Sequence, residues 1–409
     1  MPVRPSTALA SFAIAAAIMP AAVQAQEAAA VVEHYADMAL AKYEDSLATA
    51  TALQAAIDAF IESPSGEGQD AAKEAWLAAR VPYQQTEAYR FGNAAVDDWE
   101  GKVNAWPLDE GLIDYVNADL YGDLSDLNAF YAVNIIANPE ITVGGETIDA
   151  SSIDRDLLRA LHEIDAVEAN VSTGYHAIEF LLWGQDLNGT GPGAGDRPWT
   201  DYASGDACTN GNCDRRGAYL AAAGELLVAD LEDMVAAWGP GGEARTALTD
   251  APPEEGITAI LTGLGSLSYG ELAGERMQLG LMLHDPEEEH DCFADNTHNS
   301  HYYDAVGMEN VYLGRYERVD GSVVEGPALA DLVAAVDPEL DTEMRAKLEA
   351  SLAALGDIKS MADSGDMAYD QMIGEGNDEG NELVQTAIDA LVDQTRTIER
   401  LVAALELGE

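Results

Sequence analysis

Apolar residues recur every three or four positions along most of the chain, and that period commits it to helices. Between Val32 and Phe60, the residues Val32, Tyr35, Ala39, Tyr43, Leu47, Leu53, Ile57 and Phe60 stand three or four apart, or at sums of these. They form one stripe of an amphipathic helix. A second helix is predicted over 68–91. It carries Trp76, Arg80, Tyr83, Glu87 and Arg90, so polar groups recur along a face that would ordinarily be apolar. A third is expected to run from Asp154 into the segment around His176, with Gly174 as an interruption. After residue 216 the period restarts with Leu220, Ala223, Leu227, Leu231, Met234 and Trp238, and further helices are expected over 257–283, 328–336, 338–356 and 381–407. Two small hairpins punctuate the pattern. In one, Gly144-Gly145 separates Ile141-Thr142-Val143 from Thr147-Ile148; in the other, Asp320-Gly321 precedes Val323-Val324.

The two halves resemble each other. Each opens with a long Ala/Leu helix and continues with a charged helix, Tyr83, Glu87 and Arg90 in the first against Leu267, Glu271, Glu275 and Arg276 in the second. Each then passes through an irregular aromatic segment to a hairpin. The expected fold is therefore mainly all-α, two pseudo-repeated helical bundles with small β-hairpins. The halves are 26–183 and 217–409, joined by a connection over 184–216 rich in Gly, Asp, Asn and Pro. A site between such halves would draw ligands from both.

Residues 1–25 have the layout of a secretory signal peptide: Arg4, an apolar run from Ala8 to Ala22, and Val23-Gln24-Ala25 before the expected cleavage. The run is too short for a lasting anchor, and no later stretch approaches the roughly 18 uninterrupted apolar residues of a membrane helix. A soluble protein of the periplasm or cell envelope is the expectation. In that oxidising setting Cys208 and Cys213, bracketing the turn-prone Thr-Asn-Gly-Asn, favour a disulfide, with a metal clip as the alternative; Cys292 is left over.

With 74 acidic against 20 basic residues, the net charge of −54 argues against nucleic acid as a partner and for cations. Most of that acidity reads as a solubility device. At 47 % hydrophobic the chain can still build a core.

The stretch Gly174-Tyr-His-Ala-Ile-Glu-Phe-Leu-Leu-Trp183 sets a histidine and a glutamate three apart in an apolar helix. Positions i and i+3 share a face, so His176 and Glu179 can reach one point with a nitrogen and an oxygen, a pair that suits iron, zinc or manganese. The plainer reading has Glu179 orient His176 or pair with an arginine. Glu87, amid Tyr83, Tyr89 and Phe91, is either a ligand or the partner of Arg90, because a buried carboxylate costs several kcal/mol without a counter-charge. Glu275 poses the same question beside Arg276. The densest polar segment is 290–301, where Asp291, Asp295, His298 and His301 fall at spacings of three and four. It is a metal-binding face or a capping network. Asp186, Asn188 and Asp196 offer oxygen donors of the kind calcium uses. His-Glu-x-x-His is absent, as are a nucleophile elbow, a Walker loop and a haem-attachment motif.

Gly174-x-His176-x-x-Glu179 followed by Phe-Leu-Leu-Trp-Gly resembles the signature of the imelysin-like proteins, and Leu272-Ala-Gly-Glu-Arg-Met277 and Cys292-Phe-Ala-Asp-Asn-Thr-His298 resemble their iron-regulated protein A branch. The resemblance, which spans about 35–405, implies a bacterial envelope protein of two helical halves, associated with iron acquisition. It implies His176 and Glu179 as motif ligands and Glu87 as a metal-site glutamate. Glu275–Arg276 and Asp295–His298 match branch motifs without an assigned role. The leading expectation is a binding protein for iron, or for zinc or haem, with His176, Glu179 and Glu87 as ligands. Arg90 would hold the carboxylates, Asp295 and His298 would complete or gate the shell, and a membrane uptake component would be the partner. A metal-dependent peptidase is the rival, and a structural or partner-binding envelope protein the third reading.

Overall fold

The computed structural model describes residues 21–122, 124–405 and 407. Most of the expected signal peptide lies outside them. The described residues are mainly helical, with two antiparallel hairpins, β1 (Glu140–Val143) with β2 (Glu146–Asp149) and β3 (Arg315–Glu317) with β4 (Val323–Glu325). Both hairpins form where the Gly-Gly and Asp-Gly signals put them.

The opening helix, Ala21–Glu62, packs on the helices Gly66–Gln84, Cys213–Trp238 and Pro253–Ser266. Pro338–Asp363 packs on Asp378–Ala404 and on Thr297–Leu313, and Thr297–Leu313 in turn touches Gly66–Gln84. One continuous apolar core runs from Val31 in the first helix to Leu401 in the last. The two sequence halves therefore share a core, and Cys213–Trp238 packs on the opening helix and on Gly174–Trp183 of the first half.

Helix ends depart from the periodic expectation for identifiable reasons. The second helix begins at Gly66 because Ser65 Oγ accepts the Gly68 N–H at 3.1 Å, an N-cap. It stops at Gln84, where the Thr86 amide and hydroxyl both donate to Tyr83 O at 2.7 Å, so Glu87 lies in a separate 3-10 turn, Glu87–Tyr89. The helix expected from Asp154 ends at Leu161. Glu163, Asp165 and Ala166 take φ of 52°, 61° and 56°, a left-handed run that no right-handed helix can pass through. In the second half, residues 267–278 are π-helical inside a continuous helical stretch from Pro253 to Leu283. This wider winding brings Glu271 and Arg276, five apart, into an ion pair at 2.7 Å, and leaves Glu275 exposed rather than buried.

The 184–216 connection is ordered by a buried cluster. Asp114 accepts from Arg197 Nη1 at 2.7 Å and Arg216 Nε at 2.6 Å, and Arg197 also reaches Asp201. The Cys208–Cys213 disulfide closes its end, with Cα atoms 6.0 Å apart, and the next helix starts at Cys213 itself.

Candidate metal centre

All ten residues of the helix Gly174–Trp183 are buried. It has no solvent face, so His176 and Glu179 must find partners inside the protein. Gly174 lets the helix start there: its φ is +82°, and a Cβ would sit 2.6 Å from the carbonyl carbon of Val103. Trp76 Nε1 donates to Tyr175 O at 2.9 Å, and the Tyr83 and Tyr175 rings pack at 4.8 Å, fixing the helix against Gly66–Gln84.

From that helix His176 Nδ1 meets Glu179 Oε2 at 3.0 Å, while the other glutamate oxygen accepts the Ala294 amide at 2.9 Å. His176 Nε2 is buried and has no partner. The segment that approaches it is 290–294, docked by Phe293 against Phe180 and by the Gly195 amide donating to Phe293 O at 2.9 Å. It delivers His290, whose ring centroid lies 4.7 Å from that of His176, and Asp291, whose Oδ1 lies 3.9 Å from His176 Nδ1 and 3.6 Å from His290 Nδ1. One ligand atom each from His176, His290 and Asp291 fall within 4.8 Å of one another, the one such grouping among the described residues. Donors around a tetrahedral ion with bonds of about 2.1 Å stand about 3.4 Å apart, so the set would have to draw in around an ion.

Charge is balanced locally. Arg80 Nη2 donates to Asp291 Oδ1 at 2.7 Å, and Asn296 and Ser300 donate to Oδ2. Burial pushes the Asp291 carboxyl up, but Arg80 and these donors hold it below the usual range. Burial, reinforced by Arg80, lowers His176 to about 3, and burial with Arg276 drives His290 well below its ordinary value. Both imidazoles are thus neutral at pH 7, the form that ligates metal. Burial, and then the Asp291 charge, push the Glu179 carboxyl well above its ordinary range.

Glu87 lies in an adjoining network. Its Oε2 accepts from Arg276 Nη2 at 2.8 Å, and Asn104 spans the gap, donating to Glu87 Oε1 at 3.5 Å and accepting from Arg80 Nη1 at 2.6 Å. Arg276 also pairs with Asp304 at 3.2 Å. The ion pair between Glu87 and Arg90, the alternative to a ligand role, is not formed: Arg90 turns to Asp97, Glu100 and Glu271, because the 3-10 turn ends the helix that would have set the two on one face. The shared helical face expected for 291–301 is not formed either, since that helix begins only at Thr297. Asp291 precedes it and Asp295 sits in a turn at φ +51°. His298 points outward to Asp363 at 3.2 Å, whereas His301 is buried against Tyr369 with both ring nitrogens unpartnered. Sequence reasoning passed over His290. Its signal was the dense polar segment it opens, but nothing local ties that segment to His176.

Residues 39–398 match the family model described as imelysin, peptidase M75. The chain belongs to the imelysin family. Iron-regulated protein A of Synechococcus elongatus is 35 % identical over 71 residues, 17 % of this chain and 20 % of that one; the chain matches about a fifth of that relative's length. The crystal structure of a protein described as an iron-regulated protein A precursor from Parabacteroides distasonis superposes with a TM-score of 0.67 at 20 % identity, covering 93 % of this chain and 95 % of the other. The fold is shared. In this imelysin no described helix is long and apolar enough to cross a membrane, and Cys292, the one free thiol, is half-buried beside the candidate centre.

Proposed function

We propose that this imelysin is an exported iron-binding protein of the envelope, acting in iron acquisition, and that His176, His290 and Asp291 hold the ion. The observation that carries this reading is the buried grouping of two neutral imidazoles and a carboxylate, with His176 Nε2 left without a partner. Two nitrogens and a hard oxygen suit iron, with zinc as the competitor. Glu179, bonded to Nδ1, fixes the His176 tautomer and leaves Nε2 for the ion, the arrangement seen when a carboxylate backs a ligating histidine. The third-ligand role expected of Glu87 passes to Asp291, because Asp291 falls within 4.8 Å of the two imidazoles as part of the grouping and Glu87 does not. His301, buried with both ring nitrogens unpartnered, stands outside this grouping. The iron-regulated names of the relatives support iron over zinc. A cleft lined by Trp106, Tyr121, Tyr131 and Leu187 borders Cys292 and Phe293, and Trp106 packs edge-on against His290 at 5.8 Å.

Anaerobic titration of Fe(II) into chelator-treated protein tests this, with zinc as competitor and haem as a separate arm. One equivalent should bind, with a loss of at least about 100-fold in His176→Ala and in His290→Ala. Unchanged binding in the double variant would move the site elsewhere.

A further inference from the structure

Beside Cys292 and Phe293 lies a second, small cavity of about 10 Å³, room for roughly one water-sized occupant, lined also by Glu110, Asp186, Glu287, Glu289 and Asp370. Asp370 is 2 % exposed, and neither of its carboxylate oxygens has a hydrogen-bond partner. Glu289 is 1 % exposed; one oxygen accepts from Thr297 Oγ1 at 2.9 Å and the other has no partner. Glu110 is also buried, with one oxygen on Gln185 Nε2 at 3.1 Å. No lysine or arginine lines the cavity. Elsewhere the buried carboxylates Asp114, Glu87 and Asp291 each meet an arginine. Unpaired buried carboxylates cost several kcal/mol each, and a bound cation removes that cost.

We infer that Asp370, Glu289, Glu110 and Asp186 form a second, all-oxygen site that takes a hard divalent cation such as calcium or magnesium. The donor chemistry excludes a preference for soft metals, because hard cations take carboxylates and water. No three of these carboxylates fall within 4.8 Å of one another, so they would draw in around the ion. This site is independent of the iron reading: it shares no ligand with His176, His290 and Asp291. Burial, together with Asp186, pushes Asp370 up to about 7, and burial with Asp370 and Asp186 pushes Asp295, at the edge of this region, to about 7 as well. Burial is the larger cause of both shifts, and the neighbouring carboxylates add to it.

Calorimetric titration of CaCl₂ and MgCl₂ into chelator-treated protein tests the site. It is done in roughly 1 M NaCl, where a screening length of about 3 Å suppresses diffuse binding to so acidic a protein. The parent and His176→Ala should each take up one saturable equivalent, and Asp370→Asn should bind at least tenfold more weakly. Without the cation Asp370→Asn should melt no lower than the parent, while losing the calcium-induced rise in Tm. Asp186→Asn, at a half-buried position that folding tolerates, should also weaken binding. No saturable uptake by the parent, parent-like affinity in both aspartate variants, or loss of calcium binding in His176→Ala would each overturn the inference. Failure of iron binding alone would leave it standing.

Discussion

Arg80 and Asp291 lie 211 residues apart and form a fully buried ion pair at 2.7 Å, with side chains 1 % and 0 % exposed. The pair joins the second helix to the segment that delivers His290, and the guanidinium also lies over the rings of Trp76, Tyr83 and Tyr175. In the absence of metal Arg80 supplies the positive charge that keeps Asp291 ionised. An ion bound at Asp291 would share that carboxylate with it.

Removing one member of such a pair leaves the other charged and buried, at about 3–5 kcal/mol. Arg80→Met should therefore destabilise the metal-free protein by about that amount in urea unfolding, and Arg80→Met with Asp291→Leu should recover most of it. A single variant as stable as the parent would mean that the pair carries no structural charge balance.

Glu87→Gln should keep iron binding within about threefold of the parent while costing about 1.5–3 kcal/mol of stability, because it weakens a charge-assisted bond to the buried Arg276. Loss of iron binding comparable to that in His176→Ala would restore Glu87 as a ligand.

This contrast marks what the sequence can carry. Helices, hairpins, the disulfide and the His176–Glu179 pairing follow from periods and spacings of a few residues, and such local rules are written in the chain. Which carboxylate joins His176 is decided by a docking contact, Phe293 on Phe180, between segments over a hundred residues apart. The partner of Glu87 was hidden for a different reason. It depends on a π-helical stretch that moves Arg276 one position around the helix relative to α-helical winding, and on a Thr86 turn that swings Arg90 away.

The disulfide closes a loop of about six residues, for which chain entropy gives about 2 kcal/mol of stabilisation. Cys208→Ser with Cys213→Ser should lower stability by about that much, and thiol counting on the denatured, unreduced parent should find one free thiol, Cys292. Three thiols would show that the bridge does not form in the purified protein.

Unfolded polypeptides should survive incubation with the iron- or zinc-loaded protein. His176, His290 and Asp291 are at most 1 % exposed, so a peptide bond has no approach to an ion held there. Metal-dependent cleavage that disappears in Glu179→Ala would favour the peptidase reading instead.

Lys42 gives the pH test. It is fully buried, its ammonium donates to Gln85 O at 3.0 Å and lies 5.3 Å from the centre of the Tyr89 ring, and no carboxylate among the described residues pairs with it. Burial lowers it to about 7 from its ordinary 10.5. Below pH 7 both folded and unfolded chains hold the proton, and the folded state bears the full cost of a buried charge. Between about 7 and 10.5 the unfolded chain binds the extra proton, so this group's contribution to stability improves as pH rises. Lys42→Met has no such term. Urea unfolding of both proteins at pH 6 and pH 9.5 should show the stability difference moving toward the parent by a few kcal/mol at the higher pH. A difference that stays constant between the two pH values would mean that Lys42 remains charged in the core, held there by the aromatic rings and the Gln85 carbonyl.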